Sequence, residues 1–431
     1  MQLRYGFRLY PSALQRAALS RAFGCARVVF NDALRAREDA RVAGLPLVTS
    51  AELSRRLTMA KKTPERAWVG EVSSVILQQS LRDLESAYRN FFDSLKGKRP
   101  KMGPPRLKSK RDTRQAIRFT ANAGLKITAG GKLRLPKVGD VTVKWSRTLP
   151  STPATVTVIM DSAGRYFASF VVETGSEEVP PPTTPAVGID LGLGHFAVLS
   201  DGRKIDSPRF LRRAEKQLKK AQRALSRKEK GSSNRNKARL TVARAHARVA
   251  DARREFHHQL STKLIRENQA IAVEDLAVKG LARTRLAKSV HDAGWSQFTA
   301  MLAYKACRYG RTLVRISRFE PTSQVCSACG VKDGPKPLHI REWTCGACGT
   351  VLDRDINAAV NVAKAAGLAV PACGAQVRPE RVPAQRVEAG THPKPRPITA
   401  RQAGIAHLQA GEDVKSCSLP SSWSTTSSES C

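Results

Sequence analysis

Apolar residues recur along this chain in two rhythms, one of period two and one of period three to four. Residues 2–12, QLRYGFRLYPS, alternate and read as a strand. Leu14, Ala17, Ala18, Phe23, Ala26, Val29, Phe30 and Leu34 then fall at helical spacing. A second helix is predicted from about Val72 to Leu95, with Leu77, Leu81, Leu84, Tyr88 and Phe91 as its stripe. Both stripes read as core. Further on, LKITA, KLRLPKVGDVTVKW, ATVTVIM and RYFASFVVET alternate between the turn signals GG and DSAG, the pattern of a small antiparallel sheet or barrel.

EEVPPPTTP (177–185) is a Pro-rich linker and marks a domain boundary. The apolar strand AVGIDLGLGHFAVLS opens the next block. Two long basic helices follow, at about 207–229 and 236–267, joined by the turn KGSSNRN. Leu211, Ala214, Leu218, Ala221 and Leu225 on the first, and Val242, Ala245, Val249, Ala252 and Phe256 on the second, repeat as a coiled-coil seam, so the pair should close as an antiparallel hairpin. From 270 come strand AIAVEDL, helix WSQFTAMLAYKACRYG, strand TLVRISRF, a cysteine cluster and helix DINAAVNVAKAAG. Beyond 368 the chain turns to Pro, Ala, Gln and finally Ser, the composition of a disordered tail.

Charge changes the picture most. The 431 residues hold 74 Lys and Arg against 36 Asp and Glu, a net charge of +38. Such a surplus repels itself and calls for a polyanion, and nucleic acid gains affinity by releasing counterions. An anionic membrane is the other candidate, but no run of 18 apolar residues can cross one, and MQLRYGFRLYPS has no apolar signal core, so a cytoplasmic protein is expected. Residues 96–119, KGKRPKMGPPRLKSKRDTRQAIRF, read as a basic loop. Lys96, Lys98, Arg99, Lys101, Arg106, Lys108, Lys110 and Arg111 are its candidate phosphate contacts, against the plainer reading of a solvated loop.

Four of the nine cysteines fall together, as Cys326-Ser-Ala-Cys329 and Cys345-Gly-Ala-Cys348. Each CxxC sets two thiolates on one tight knuckle, and Gly330 and Gly349 permit the turn that follows. Two knuckles make the closed sulfur cage of a structural Zn2+ site, with no open position for water. A disulfide or a redox CxxC would leave the second pair unexplained.

Three acids stand where a charge is costly. Asp190 ends the apolar strand VGID, Glu274 ends AIAVE, and Asp355 opens a helix seven residues past the last zinc cysteine. Taken singly, each has a plain reading: a strand-end acid as a turn former, or Asp353 or Asp355 as a helix cap. Their order favours an α/β RNase H-like fold, in which the three carboxylates meet at the end of a central sheet. Phosphodiester hydrolysis needs such a cluster, because two Mg2+ or Mn2+ ions on hard oxygen ligands activate water and stabilise the leaving oxygen. Asp190 would bridge the ions, with Glu274 and Asp355 each holding one side.

VGIDLGLGHFAVLSDG, AVEDLAVKGL, WSQF…LAYKA, TSQVCSACG and LDRDINAAVN, in this order, resemble the TnpB (OrfB) proteins of bacterial transposons. FRLYPSALQ and PRLKSKRD also match that family's manner. The resemblance implies an RNA-guided DNA endonuclease with a RuvC-type domain, related to the type V CRISPR effectors. It puts the catalytic acids on Asp190, Glu274 and Asp355 and the zinc ligands on Cys326, Cys329, Cys345 and Cys348. It also implies a wedge-like β-barrel at 1–10 and 99–180, interrupted by a helical recognition insert at 11–98. A RuvC/RNase H-like domain would occupy 186–319 and 351–368, a zinc ribbon 320–350, and the tail 369–431. The implied partners are a guide RNA from the transposon end and double-stranded target DNA, in a nucleoid-associated prokaryotic protein with no membrane role. Two rivals stay open: a transposase that joins strands with the same acids, and a non-catalytic zinc protein that only binds nucleic acid.

Overall fold

A computed structural model describes residues 2–112, 114–173, 181–337 and 339–369. The expected tail lies outside these residues except for Ala369, and so does most of the Pro-rich linker's first half. Two compact units divide the chain between Glu177 and Glu178.

The first unit opens on β1 (Gln2–Tyr10), α1 (Ala13–Val42), α2 (Ser50–Ala60) and α3 (Ser74–Leu95). Six strands follow: β2 (Arg114–Thr120), β3 (Lys126–Ile127), β4 (Leu133–Leu135), β5 (Gly139–Lys144), β6 (Thr155–Asp161) and β7 (Tyr166–Glu173). They form one antiparallel sheet in the order β2-β6-β7-β1-β5-β4-β3. Period-two burial sets its inner face: Leu3, Tyr5, Phe7 and Leu9 of β1 lie in one core with Ala168, Phe170 and Val172 of β7 and the apolar stripes of α1 and α3. The sheet runs from β2 at one end to β3 at the other, and one expectation needs correction. Residues 114–119 are not loop but strand β2, because Ile117 and Phe119 alternate inward and pair with Val158 and Val156. The unassigned stretch after Leu34 continues α1 and adds α2, whose Thr49 hydroxyl caps the Glu52 N–H at 3.2 Å.

The second unit holds β8 (Ala186–Asp190), β9 (His195–Leu199), β10 (Lys204–Asp206), α4 (Phe210–Ser226), α5 (Ser233–Glu267) and β11 (Ala270–Glu274). After these come α6 (Val278–Leu281), α7 (Ala287–Ala293), α8 (Trp295–Arg308), β12 (Thr312–Ile316), β13 (Glu342–Thr344), β14 (Val351–Asp353) and α9 (Arg354–Ala365). Its main sheet runs β10-β9-β8-β11-β12, with β8, β11 and β12 parallel and β9 antiparallel to β8. Apolar runs as in VGI and AIAV suit strands covered on both faces. Val187, Ile189, Ile271 and Val273 share a core with Leu264 and Ile265 of α5 and Phe298 and Leu302 of α8. On the other face, Ala272 and Ile316 pack against Val362 of α9. Helices α4 and α5 pack together, with Leu218 and Val249 of the expected seam buried. Among the described residues no helix is long and apolar enough to cross a membrane.

Candidate active site and metal centre

Strand register decides where the acids point. In the parallel pair, Ala272 lies opposite Gly188 and Val273 opposite Ile189, so the next positions, Glu274 and Asp190, end side by side. Side chains two apart share a face, so both acids stand on the α9 side with Gly188 and Ala272. Gly188 brings α9 unusually close: a Cβ there would meet the Ala359 carbonyl oxygen at 2.2 Å and the Ala363 nitrogen at 2.6 Å. Asp355 is one helical turn before Ala359, about 6 Å along the axis. Asp190 is two strand residues beyond Gly188, about 6.6 Å. The matched steps bring Asp355 over Asp190.

Electrostatics records the same convergence. Asp190 keeps part of its surface, yet its carboxyl is hemmed in and pushed up to about 7, by burial first and then by the charges of Glu274 and Asp355. Arg354 and the Leu191 N–H only partly offset this. Among the described residues no cation pairs directly with Asp190. Glu274 accepts a hydrogen bond from the Thr322 hydroxyl at 2.6 Å, and the nearest cation to Asp355 is Arg341, at 3.4 Å from Oδ2. Three acids around one crowded point make a hard-oxygen donor set suited to Mg2+ or Mn2+. Their oxygens are not all within 4.8 Å of one another; among the described residues only the four cysteines meet that limit. Glu274 and Asp355 are each bonded to a protein partner of their own, Thr322 and Arg341.

The two readings of the last helix now separate. Asp353 is the cap: its Oδ1 accepts from the N–H groups of Asp355 and Ile356, each at 3.0 Å, while Oδ2 lies 2.5 Å from Lys204 Nζ. Asp355 is therefore left free of capping, in the first turn.

The cysteines form a metal-binding group. Cys326 Sγ is 3.7 Å from Cys348 Sγ, and Cys329 Sγ is 3.7 Å from Cys345 Sγ. A disulfide would need about 2.05 Å. A tetrahedron with Zn–S bonds of about 2.3 Å has edges near 3.8 Å, so the cage fits zinc. The two knuckles are built alike: Cys326 N–H donates to Val331 O and Gly330 N–H to Cys326 O, while Cys345 N–H donates to Thr350 O and Gly349 N–H to Cys345 O, all at 2.9 Å. Gly330 and Gly349 take φ of 77° and 71°, the left-handed values their turns require. Strands β13 and β14 pair beneath the cage over Trp343 and Leu352, and β14 leads straight into α9.

Of the basic stretch, Lys96, Lys98, Lys101, Arg106, Lys110 and Arg111 are exposed. Two are otherwise engaged. Lys108 lies over the Phe30 ring at 3.8 Å, its backbone clasped by the Asn31 amide, and burial lowers its pKa. Arg99 is half-buried and bonded to Asn90. The sequence reading missed Thr322, Asn357 and Asn361. Both asparagines donate to the carbonyls of Thr322 and Val325, which the NAAVN spacing, two amides one turn apart, could have suggested.

A protein of Streptomyces pristinaespiralis named "Putative RNA-guided DNA endonuclease" is 46% identical over 408 residues, 94% of this chain and 98% of that protein. The chain belongs to the TnpB (OrfB) family. Family models described as "Probable transposase", "Cas12f1-like, TNB domain" and "Helix-turn-helix domain" match residues 169–285, 295–362 and 1–44. In this TnpB-family chain the last of these segments is β1 followed by the unbroken α1, not two helices. A relative from Escherichia coli (strain K12), whose name adds only InsQ, is 32% identical across 88% of this chain and 95% of its own length. The solved structure titled "Cryo-EM structure of the Cas12f1-sgRNA-target DNA complex" covers 80% of this chain and 82% of its own, at 13% identity and a TM-score of 0.48.

Proposed function

We propose that this protein is an RNA-guided DNA endonuclease whose second unit is a RuvC-like, RNase H-type nuclease acting through Asp190, Glu274 and Asp355. The observation that carries the reading is the crowding of Asp190 by the other two acids at the carboxyl end of the parallel strands. The sheet order, with its second strand antiparallel, is the one expected of that fold. A pair of Mg2+ or Mn2+ ions bound there supplies an activated water and charge stabilisation at the leaving oxygen. The chain's own part is to hold and aim the ligands. Asp190, crowded by the other two, would hold a cation together with Glu274 and Asp355. Glu274 is held by the Thr322 hydroxyl, and Asp355 by the capped first turn of α9. With its pKa pushed up to about 7, Asp190 holds its proton more firmly than an ordinary carboxyl, and a bound cation would favour the ionised form. Zinc in the four-cysteine cage is structural, since all four positions are filled by sulfur.

The relatives' names supply the RNA guide. The net charge of +38 supports a protein that holds RNA and DNA at once, with base pairing reading the sequence and the protein reading backbone. On this reading the first unit, with its exposed lysines and arginines between 96 and 111, contacts nucleic acid, and the basic α4–α5 hairpin lies along the heteroduplex. The description "Probable transposase" favours a second reading, strand transfer by the same acids. The test is to purify the protein expressed from its native locus, sequence the RNA that comes with it, and supply matching DNA with Mg2+. Broken strands with free ends support the endonuclease; joined strands support transfer; no co-purified RNA removes the guide.

A further inference from the structure

The segment between β12 and the first cysteine knuckle does more than connect them. Thr322 is buried, at 7% exposure, in a chain stretch of polar residues, and each of its polar groups has a partner of consequence. Its hydroxyl donates to Glu274 Oε1 at 2.6 Å. Its carbonyl accepts from Asn361 Nδ2 at 2.8 Å and, more weakly, from Asn357 Nδ2 at 3.5 Å. Both asparagines belong to α9, whose first turn carries Asp355. The same two amides also reach Val325 O, at 2.8 and 2.7 Å, and Asn357 Oδ1 accepts from the Ser327 N–H at 2.7 Å. Ser327 lies inside the first CxxC. Six residues, 322–327, therefore touch one acid through a hydroxyl and the helix of a second acid through two carbonyls and the Ser327 N–H, and they include the first sulfur ligand, Cys326.

We propose that Thr322 is a positioning residue that sets Glu274 relative to Asp355 and makes that geometry depend on the closed cysteine cage. The inference rests on the two-cation reading of the acids given above. A hydroxyl can donate its single proton to only one oxygen of Glu274, which orients the carboxylate and leaves the other oxygen free of that bond. Partners of this kind that orient a metal-ligating carboxylate typically change metal affinity about 10- to 100-fold when removed. The asparagine clamp explains why an intact first knuckle matters to a site it does not enter. If the knuckle opens, the carbonyls of 322 and 325 lose their fixed distance from α9, and the hydroxyl of 322 goes with them.

The test compares Thr322→Val, which keeps shape and loses the hydroxyl, with Thr322→Ser, which keeps it. Mn2+ binding to the full-length, zinc-loaded protein without nucleic acid is measured by titration calorimetry. Zinc content and the Mn2+ dependence of cleavage by the guide-loaded protein are measured alongside. The expected result is about a tenfold or greater weakening of Mn2+ binding in Thr322→Val, with a matching rise in the Mn2+ needed for half-maximal cleavage. Zinc stays near one per chain, and Thr322→Ser remains close to wild type. Thr322→Val that binds Mn2+ like wild type overturns the inference, and so does a variant whose loss of Mn2+ binding merely follows loss of zinc. Asp190→Asn separates the two levels: if it too binds Mn2+ like wild type, the cation reading of the acids fails, whereas loss in Asp190→Asn without loss in Thr322→Val removes Thr322 alone.

Discussion

Ala359 lies over Gly188 so closely that its carbonyl oxygen stands 2.2 Å from where a Cβ on residue 188 would be. This contact couples α9 to β8 and so hangs Asp355 above Asp190. Because the obstructing atoms are backbone, Gly188→Ala cannot be absorbed by turning a side chain. It is expected to cost more than the roughly 1–3 kcal/mol usual for overpacking and to lower the melting temperature of the second unit. Gly280→Ala, whose Cβ would only touch Ala277 at 4.0 Å, is the matched control and should leave the melting temperature within a degree or two of wild type. Equal melting curves for wild type and Gly188→Ala would contradict the close packing.

The cage makes a second prediction. Cys326→Ser and Cys345→Ser each remove a buried ligand and should drop zinc from about one per chain toward none. Residues 322–352 should then become the first site of proteolysis, because the apolar core among their described residues is only Trp343, Leu352 and the two buried cysteines with Ile340 against them. Freshly purified wild-type protein without zinc would contradict the assignment.

How much of this was legible in the sequence follows from the range over which each feature is encoded. The cysteine spacing and the acids ending VGID and AIAVE are local patterns, and the structure places them as cage and strand ends. Helix position alone does not decide between Asp353 and Asp355 as cap; the resemblance, by putting the catalytic acid on Asp355, left Asp353 as the cap, and the backbone hydrogen bonds bear that out. Thr322 carries no local signal either; its importance comes from Asn357 and Asn361, more than 30 residues away. Strand β2 was hidden because Arg114 and Arg118 make its outer face look like the basic loop before it. Nothing local distinguishes Lys108 and Arg99 from their basic neighbours; the Phe30 ring beside Lys108 and the hydrogen bond from Arg99 to Asn90 become visible only in the fold.

The cap itself can be tested. Asp353→Ala removes the acceptor for two N–H groups and the partner of Lys204, and should cost about 1 kcal/mol of stability. Cleavage should fall only modestly, since Asp355 keeps its place on the helix. If Asp353→Ala abolishes cleavage while Asp355→Ala does not, the two roles are reversed.

His257 predicts an acid limit. Its ring is wholly buried beside Phe196 and Phe298, and its Nε2 donates to Ala293 O at 2.8 Å. Burial above all holds its pKa down, to about 4; Gln297 approaches the ring, but Nδ1 has no well-formed hydrogen bond. The unfolded chain takes up the proton near 6.5, so this histidine's contribution is complete above that pH and is lost as pH falls through about 4, a change of about 3 kcal/mol at 1.36 kcal/mol per unit. Asp190 acts in the opposite sense in metal-free protein, since a raised carboxyl pKa costs stability as pH rises toward 7. The measurement is therefore the difference in unfolding free energy between wild type and His257→Gln, followed from pH 7 to pH 4. It should shrink on acidification; a difference that stays constant would show that His257 is not held neutral.

The central claim is that Asp190, Glu274 and Asp355 form one cation-dependent nuclease site. Its most direct measurement is Mg2+-dependent cleavage of guide-matched DNA by Asp190→Ala, Glu274→Ala and Asp355→Ala, with DNA binding followed in parallel. Each variant should lose cleavage, and a double variant should lose no more, because the three ligands act as a unit. Binding should persist, carried by phosphate contacts and base pairing. Three variants that still cut matched DNA at the wild-type rate would contradict the account.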